Sequence, residues 1–283
     1  MVRFGPAGNS ESYKSLNKPS VEAPGWLKSM GLNAYEYQCG HGVSISEKSA
    51  RLLGEHAVEH DISLSVHSPY YISLANPAPD KVTANINYVL KTCEAARFMG
   101  ADRIVVHSGS VGSGSREEAL GHASACVIEL LKAMREQNHE ATLCLETMGK
   151  IGQLGTLSEV LALCLLDETL LPCVDFGHIY ARTHGEASTG EAYAAILDEI
   201  TDKLGFDRAK RIHIHFSQIQ FSSGGEVRHL NLDNGEYGPP FEALAELLAK
   251  RGFEARIICE SAGLQAEDAV KMKIIYESKL RLA

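Results

Sequence analysis

No stretch of the chain approaches the ~20 consecutive apolar residues that a membrane-spanning helix needs, so no transmembrane helix is expected. The opening Met1-Val2-Arg3-Phe4-Gly5-Pro6 lacks the apolar core of a secretion signal, and a cytoplasmic location is the expectation. There is no CxxC pair, and the seven cysteines are an odd number. Cys144, Cys173 and Cys259 sit inside apolar runs and read as small core residues in a reducing compartment rather than as a disulfide framework. Positive charge is in deficit: the net charge is −9 at pH 7. That argues against non-specific nucleic-acid binding through a basic surface, although part of the negative total would be cancelled if site carboxylates bound metal. Linkers and low-complexity segments are also missing. The 283 residues lie a little above the ~250 of a single eight-fold barrel, so one domain over residues 1–283 is expected, with a monomer as the default.

What the chain does have is a series of short apolar runs, each finishing on a residue able to bind a metal. Leu64-Ser65-Val66 ends on His67, and Ile104-Val105-Val106 on His107. Leu143-Cys144-Leu145 ends on Glu146. Pro172-Cys173-Val174 ends on Asp175, with His178 three residues on. Ile212-His213-Ile214 ends on His215, and Ile257-Ile258-Cys259 on Glu260. An earlier run, Leu32 to Tyr37, finishes near Gln38, with Glu36 and Gln38 both candidates to point inward. Val2-Arg3-Phe4 is a short possible strand. Each run is rich in β-branched residues and is followed by a segment of helical periodicity, the pattern of repeated βα units. The fold expected is α/β, a (β/α)8 TIM barrel. In such a barrel the carboxyl ends of all strands share one face, and that face hosts the chemistry. Ionisable groups at successive buried strand ends are costly unless they are paired or bind a cation, so their recurrence points to a metal site.

Between the strands, turn residues mark loops and periodic segments mark helices. Helices are expected from Ser46 to about His60, Asp80 to Met99, Arg116 to Gln137, Ser158 to Leu166, Glu191 to Leu204 and Glu267 to Leu280. Another is expected from Gly238-Pro239-Pro240 to before Gly252. Ser68 to Pro77 reads as a loop over the site, with Tyr70 and Tyr71 able to face a ligand. Ile179 to Arg182 reads as a rim loop, and so does Phe221 to His229. In the latter, Glu226 and His229 could complete a further metal site, and Arg228 could meet a phosphate. His213 lies one layer deeper than His215 on the same side of its strand.

Glu146, Asp175, His215 and Glu260 make an oxygen-rich set suited to Zn²⁺ or Mn²⁺. His67 and His107 bring the total above what one tetrahedral ion takes. Glu146 has two oxygens and could bridge two ions. A hydroxide held between two metals is a nucleophile at neutral pH, and the pair can clamp a phosphate undergoing in-line displacement. A third ion at His178, Glu226 and His229 would neutralise the leaving alkoxide.

The order His67, His107, Glu146, Asp175, His178, His215, Glu260 resembles the endonuclease IV family of apurinic/apyrimidinic endonucleases. The matching segments are His67-Ser68-Pro69-Tyr70 with Asn76-Pro77, Leu145-Glu146-Thr147 with Gly149 and Gln153, and Val174-Asp175-Phe176-Gly177-His178, together with His215. The resemblance implies a zinc enzyme with two or three ions that cuts DNA 5′ to abasic sites. It implies that His67, His107 and Glu146 hold one zinc, that Glu146, Asp175, His215 and Glu260 hold a second, and that His178 helps to hold a third. The chain departs from that family in three places. Glu226-Val227-Arg228-His229 stands where an Asp-x-His is expected. Tyr37-Gln38-Cys39-Gly40-His41-Gly42 replaces a basic, DNA-inserting loop. Phe216-Ser217-Gln218-Ile219 stands in place of Asn-Asp-Ser-Lys. The wider superfamily also holds metal-dependent sugar isomerases and epimerases. For such an enzyme Glu146, Asp175, His215 and Glu260 would hold one ion, and Glu146 and Glu260 would move a proton between adjacent carbons of a small sugar.

Overall fold

The computed structural model describes residues 1–281. Among these, eight parallel strands form the central sheet: β1 (Arg3–Pro6), β2 (Ala34–Gln38), β3 (Ser63–His67), β4 (Arg103–His107), β5 (Thr142–Glu146), β6 (Leu171–Asp175), β7 (His213–Phe216) and, after a two-stranded hairpin of β8 (Gln218–Ser222) and β9 (Gly225–Leu230), β10 (Arg256–Cys259). Hydrogen bonding runs β1-β10-β7-β6-β5-β4-β3-β2, each pair parallel. The seam between β1 and β2 is stitched by an Ala7–Glu36 bridge, by Gly8 N–H donating to Glu36 C=O at 2.9 Å and by Asn33 N–H donating to Phe4 C=O at 3.1 Å. The result is a nearly closed TIM barrel. Gly5 makes this seam possible, because a Cβ there would lie 1.8 Å from the Ala34 carbonyl oxygen.

Helices intervene between the barrel strands and pack outside them, and their ends are chemically marked. The long helices after β3 and β4 span Pro79–Met99 and Arg116–Glu136, and the helix after β5 spans Leu157–Cys164. Ser115 with Glu118, and Thr156 with Glu159, form reciprocal capping boxes that satisfy otherwise orphaned N–H groups, each cap being worth about 1 kcal/mol. Gly100 ends its helix in the left-handed conformation (φ 68°). The apolar core fills the space between sheet and helices, with Phe4, Leu53, Ile104, Leu130, Phe176, Ile214 and Met272 all buried.

Three sequence expectations are corrected. Ile179 to Arg182 is not a rim loop but part of a short helix, Phe176–Arg182. Asp175 caps it by accepting the His178 N–H at 2.8 Å, a local signal hidden because the same aspartate ends a strand. Phe221 to His229 is not an irregular loop but most of the β8–β9 hairpin, whose alternation is broken by a bulge. The helix expected from Gly238 begins at Glu242.

Strand alternation fills the barrel in layers. At the amino-terminal end Arg256 donates to both carboxylate oxygens of Asp102 (2.7 and 3.0 Å), and Arg103 donates to the Ile212 carbonyl. Val105, Cys144, Leu171 and Cys173 form a small apolar cluster of their own. Above them come Glu36, Ser65 and His213, and at the carboxyl end the imidazoles and carboxylates anticipated from the strand ends.

Candidate metal centre

His67, His107, Glu146 and Asp175 are each the last residue of their strand, His215 is next to last, and Glu260 directly follows β10. The barrel thus brings to one cavity groups separated by nearly two hundred residues. Glu146 sits at the middle, almost fully buried, and its two oxygens face different partners. Oε2 lies 3.1 Å from His107 Nε2 and 3.3 Å from His67 Nε2. Oε1 lies 3.1 Å from His215 Nδ1 and 3.5 Å from His178 Nδ1. Glu260 Oε1 is 3.6 Å from His215 Nδ1. Five groups of potential donor atoms result, each mutually within 4.8 Å: His67, His107 and Glu146; Glu146, Asp175, His178 and Glu260; His178, His229 and Glu260; His67, His215 and Glu260; and, one layer deeper, Cys173, His213 and His215. Four ligands at ~2.0 Å around a tetrahedral ion lie about 3.3 Å apart, and the nearest pairs in these groups lie 3.1 to 3.9 Å apart.

The residues fit divalent metal on two further counts. Asp175 Oδ2 is buried with no hydrogen bond. His178 Nδ1 is 3.3 Å from it, but that nitrogen bonds to the Thr147 carbonyl at 2.9 Å. In addition, three of the inner imidazoles have one ring nitrogen engaged behind them: His67 Nδ1 with Ser68 C=O (2.7 Å), His107 Nδ1 with Tyr70 C=O (3.1 Å) and His178 Nδ1 with Thr147 C=O. Such backing fixes the tautomer and leaves the other nitrogen as a donor to metal.

Charge in the cluster is strongly coupled. Burial alone would depress the His67 pKa, but its hydrogen bond to Glu146 and that group's charge overcome this and lift it to about 9. His178 is likewise lifted to about 9 against burial, by Asp175, then Glu226 and Glu146. Burial opposes ionisation of Glu146, yet His215 and His107 hold it well below the ordinary carboxylate range. Without metal the cluster therefore holds protons in the places where cations would sit.

The hairpin supplies the remaining groups. Phe221 pairs with Glu226 and Ile219 with His229, while Gln220 pairs with Arg228. Val227 is the extra residue of the bulge, so Glu226 and His229, three apart in sequence, share one face. Glu226 Oε2 approaches His178 Nε2 at 3.4 Å, and His229 approaches Glu226 and Glu260 at 3.8 and 3.9 Å. Arg228 emerges on the other face, donating to Gln220 at 2.8 Å, and does not line the cavity.

The cavity measures about 390 Å³. Tyr70 is half exposed at its rim, with its hydroxyl 2.7 Å from His41 Nδ1. Lys150 is the one Lys or Arg in the lining among the described residues, beside Met148, Gln153 and Gln38. The Met148–Gln153 loop is clamped by two guanidinium groups. Arg182 donates to the carbonyls of Met148, Lys150, Ile151 and Gln153, and Arg116 to those of Ile151 and Gln153. Sequence reading missed Lys150 and both clamping arginines; an arginine bonded to backbone carbonyls leaves no periodic signature. Glu36 was visible as inward-facing, but its partners were not.

A barrel of parallel βα units with histidines and carboxylates gathered at the strands' carboxyl ends defines a TIM barrel with a candidate metal centre. Within it, residues 24–274 match the xylose isomerase-like TIM barrel family, and the chain belongs to that family. An uncharacterised protein of Methanocaldococcus jannaschii is 32% identical over 279 residues, 98% of each chain. A probable endonuclease 4 of Mycoplasma pneumoniae is 31% identical over 200 residues, 68% of this chain and 66% of that one. Another, of Carboxydothermus hydrogenoformans, is 28% identical over 252 residues, 86% of each. The chain is thus a divergent relative of the endonuclease IV proteins. Solved structures of similar fold include a D-tagatose 3-epimerase-like protein (TM-score 0.71, 21% identity, 99% of this chain and 97% of that one) and endonuclease IV from Thermus thermophilus (TM-score 0.66, 20% identity, 100% and 99%).

Proposed function

We propose that the protein is a zinc-dependent phosphodiesterase that cleaves DNA on the 5′ side of abasic sites. The observation that carries this reading is the split of Glu146, one oxygen toward His67 and His107 and the other toward His215 and His178. A carboxylate so placed serves two neighbouring ions. An enzyme that needs one ion has no use for the His67–His107 pair as ligands. When bound, zinc supplies Lewis acidity toward the phosphodiester and a nucleophile at neutral pH. His67, His107 and Glu146 would hold one ion, Glu146, Asp175, His215 and Glu260 a second, and His178, Glu226 and His229 a third. Lys150 faces the same cavity as a point charge for a phosphate, and Tyr70 offers an aromatic surface at the rim. All seven cysteines are free and buried, which suits a reducing, cytoplasmic setting.

Elemental analysis of protein purified without chelator, followed by a nicking assay on a duplex with one abasic site, tests the reading. Two or three zinc ions per chain and 5′ incision are expected. One ion per chain with no incision would overturn it.

The second reading is a divalent-metal sugar isomerase or epimerase. It draws on Glu146 Oε1 and Glu260 Oε1 flanking His215 Nδ1, which places two carboxylates beside one candidate ion. It predicts a single ion, activity on ketoses, and indifference to loss of His107.

A further inference from the structure

The layer beneath the cavity contains a glutamate that no ligand group requires. Glu36 is fully buried. The layer beneath it is apolar, built of Val105, Cys144, Leu171 and Cys173. Both of its oxygens are in use. Oε2 accepts from Ser65 Oγ at 2.9 Å and from His213 Nε2 at 2.9 Å. Oε1 accepts from Gln38 Nε2 at 3.1 Å and lies 3.0 Å from His215 Nε2. Only an ionised carboxylate has acceptor capacity for donors on all these sides. The His215 contact is short but off the hydrogen-bond axis, so that buried nitrogen makes no hydrogen bond, and the Cys173 thiol lies near the same ring. The remaining ring nitrogen of His215, Nδ1, is hydrogen-bonded to Glu146 Oε1 at 3.1 Å and lies 3.6 Å from Glu260 Oε1, the direction in which a metal would take the place of that bond.

The other inner imidazoles are backed by backbone carbonyls, at Ser68, Tyr70 and Thr147. Behind His215 there is no carbonyl but a carboxylate, with Glu36 Oε1 3.0 Å from Nε2. We infer that Glu36 is a positioning residue of the metal centre: held by Ser65, His213 and Gln38, it keeps the proton of His215 on Nε2, so that Nδ1 is presented to the cavity as a metal ligand. A carboxylate behind a ligating imidazole fixes its tautomer and raises its basicity, and loss of such a partner typically weakens metal binding about 10–100-fold. His213, one layer too deep to reach the cavity's lining, acquires a role here: it anchors Glu36. The inference rests on the proposed function's assignment of His215 as a ligand.

The test is zinc affinity, measured by titrating metal-free protein against a competing chromophoric chelator. Glu36→Gln keeps the size of the side chain but cannot accept from all its donors. Its zinc affinity at one ion per chain should fall about 10–100-fold, with ions at the His67–His107 end retained. His215→Ala is run beside it. If His215→Ala loses an ion and Glu36→Gln, folded by circular dichroism, binds zinc as wild type does, this inference is wrong and the ligand assignment stands. If His215→Ala loses no ion, both fall. Should Glu36→Gln not fold, the long-range ¹H–¹⁵N spectrum of zinc-loaded wild type decides. A His215 proton on Nε2 supports the inference, and one on Nδ1 overturns it.

Discussion

Individual residues in this cavity carry opposed demands. His107 approaches only Glu146 among the site carboxylates and is partly open to the cavity. His107→Ala should therefore leave the fold intact, remove one zinc per chain and lower nicking of abasic duplex by more than about 100-fold, a direct ligand mattering at least as much as its supports. Retained nicking would rule out the role assigned to it. The histidines also make a pH prediction whose sign can be worked through. His67 and His178 are lifted from 6.5 to about 9 in the folded chain. Between those values the folded, metal-free protein binds more protons than the unfolded chain, so its stability is full below about pH 6.5 and declines as pH rises toward about 9. Zinc competes for the same nitrogens, so its binding strengthens over that window. Thermal melts of chelated and zinc-loaded protein at about pH 6.5 and about pH 8.5 should show the chelated Tm falling and the gain from zinc growing. A gain that does not change with pH would mean that metal does not displace the protons of these imidazoles.

At the scale of elements, the β8–β9 hairpin shows how a sequence departure can be absorbed. In sequence, Glu226 and His229 look one residue out of step for a pair sharing a strand face. The bulge at Val227 takes up the extra residue, so that Glu226 meets His178 and His229 meets Glu260. Deleting Val227 would convert the bulged strand to a regular ladder, in which Glu226 and the shifted histidine are two apart and still on one face. That variant should keep its metal content. Inserting an alanine between Arg228 and His229 should turn the imidazole away and release an ion. Equal zinc per chain in both variants would sink the role of His229. Much of this level was legible beforehand. The six candidate ligands at strand ends were readable as such because strand period and terminal residue coincide in a short window. The Phe176–Arg182 helix and the hairpin were not, since the first depends on Asp175 serving two elements and the second on a bulge that breaks alternation.

For the whole molecule, closure of the barrel is the decisive event, and it depends on a seam with no room for a side chain. A Cβ at position 5 would meet the Ala34 carbonyl oxygen at 1.8 Å, and both are backbone held in a sheet. Gly5→Ala should therefore cost about 3 kcal/mol or more, beyond ordinary overpacking. That corresponds to a fall in Tm of about 2–4 °C per kcal/mol for a chain of this size. Zinc affinity should fall with it, because the seam carries Glu36 on β2. A melting temperature within error of wild type would show that the seam opens without penalty.

The sequence by itself determined the repeating βα units, the inward alternation of their strands and the residues at their carboxyl ends, because those signals are local and follow from a period of two and a few turn and cap residues. Tertiary structure alone decided which oxygen of Glu146 faces which imidazole, that Arg228 points away while Glu226 and His229 point in, and that Glu36 stands behind His215. Those outcomes depend on strand register, a bulge and contacts between distant parts of the chain, such as the bond from His213 to Glu36 across 177 positions. Only the closed barrel sets such contacts.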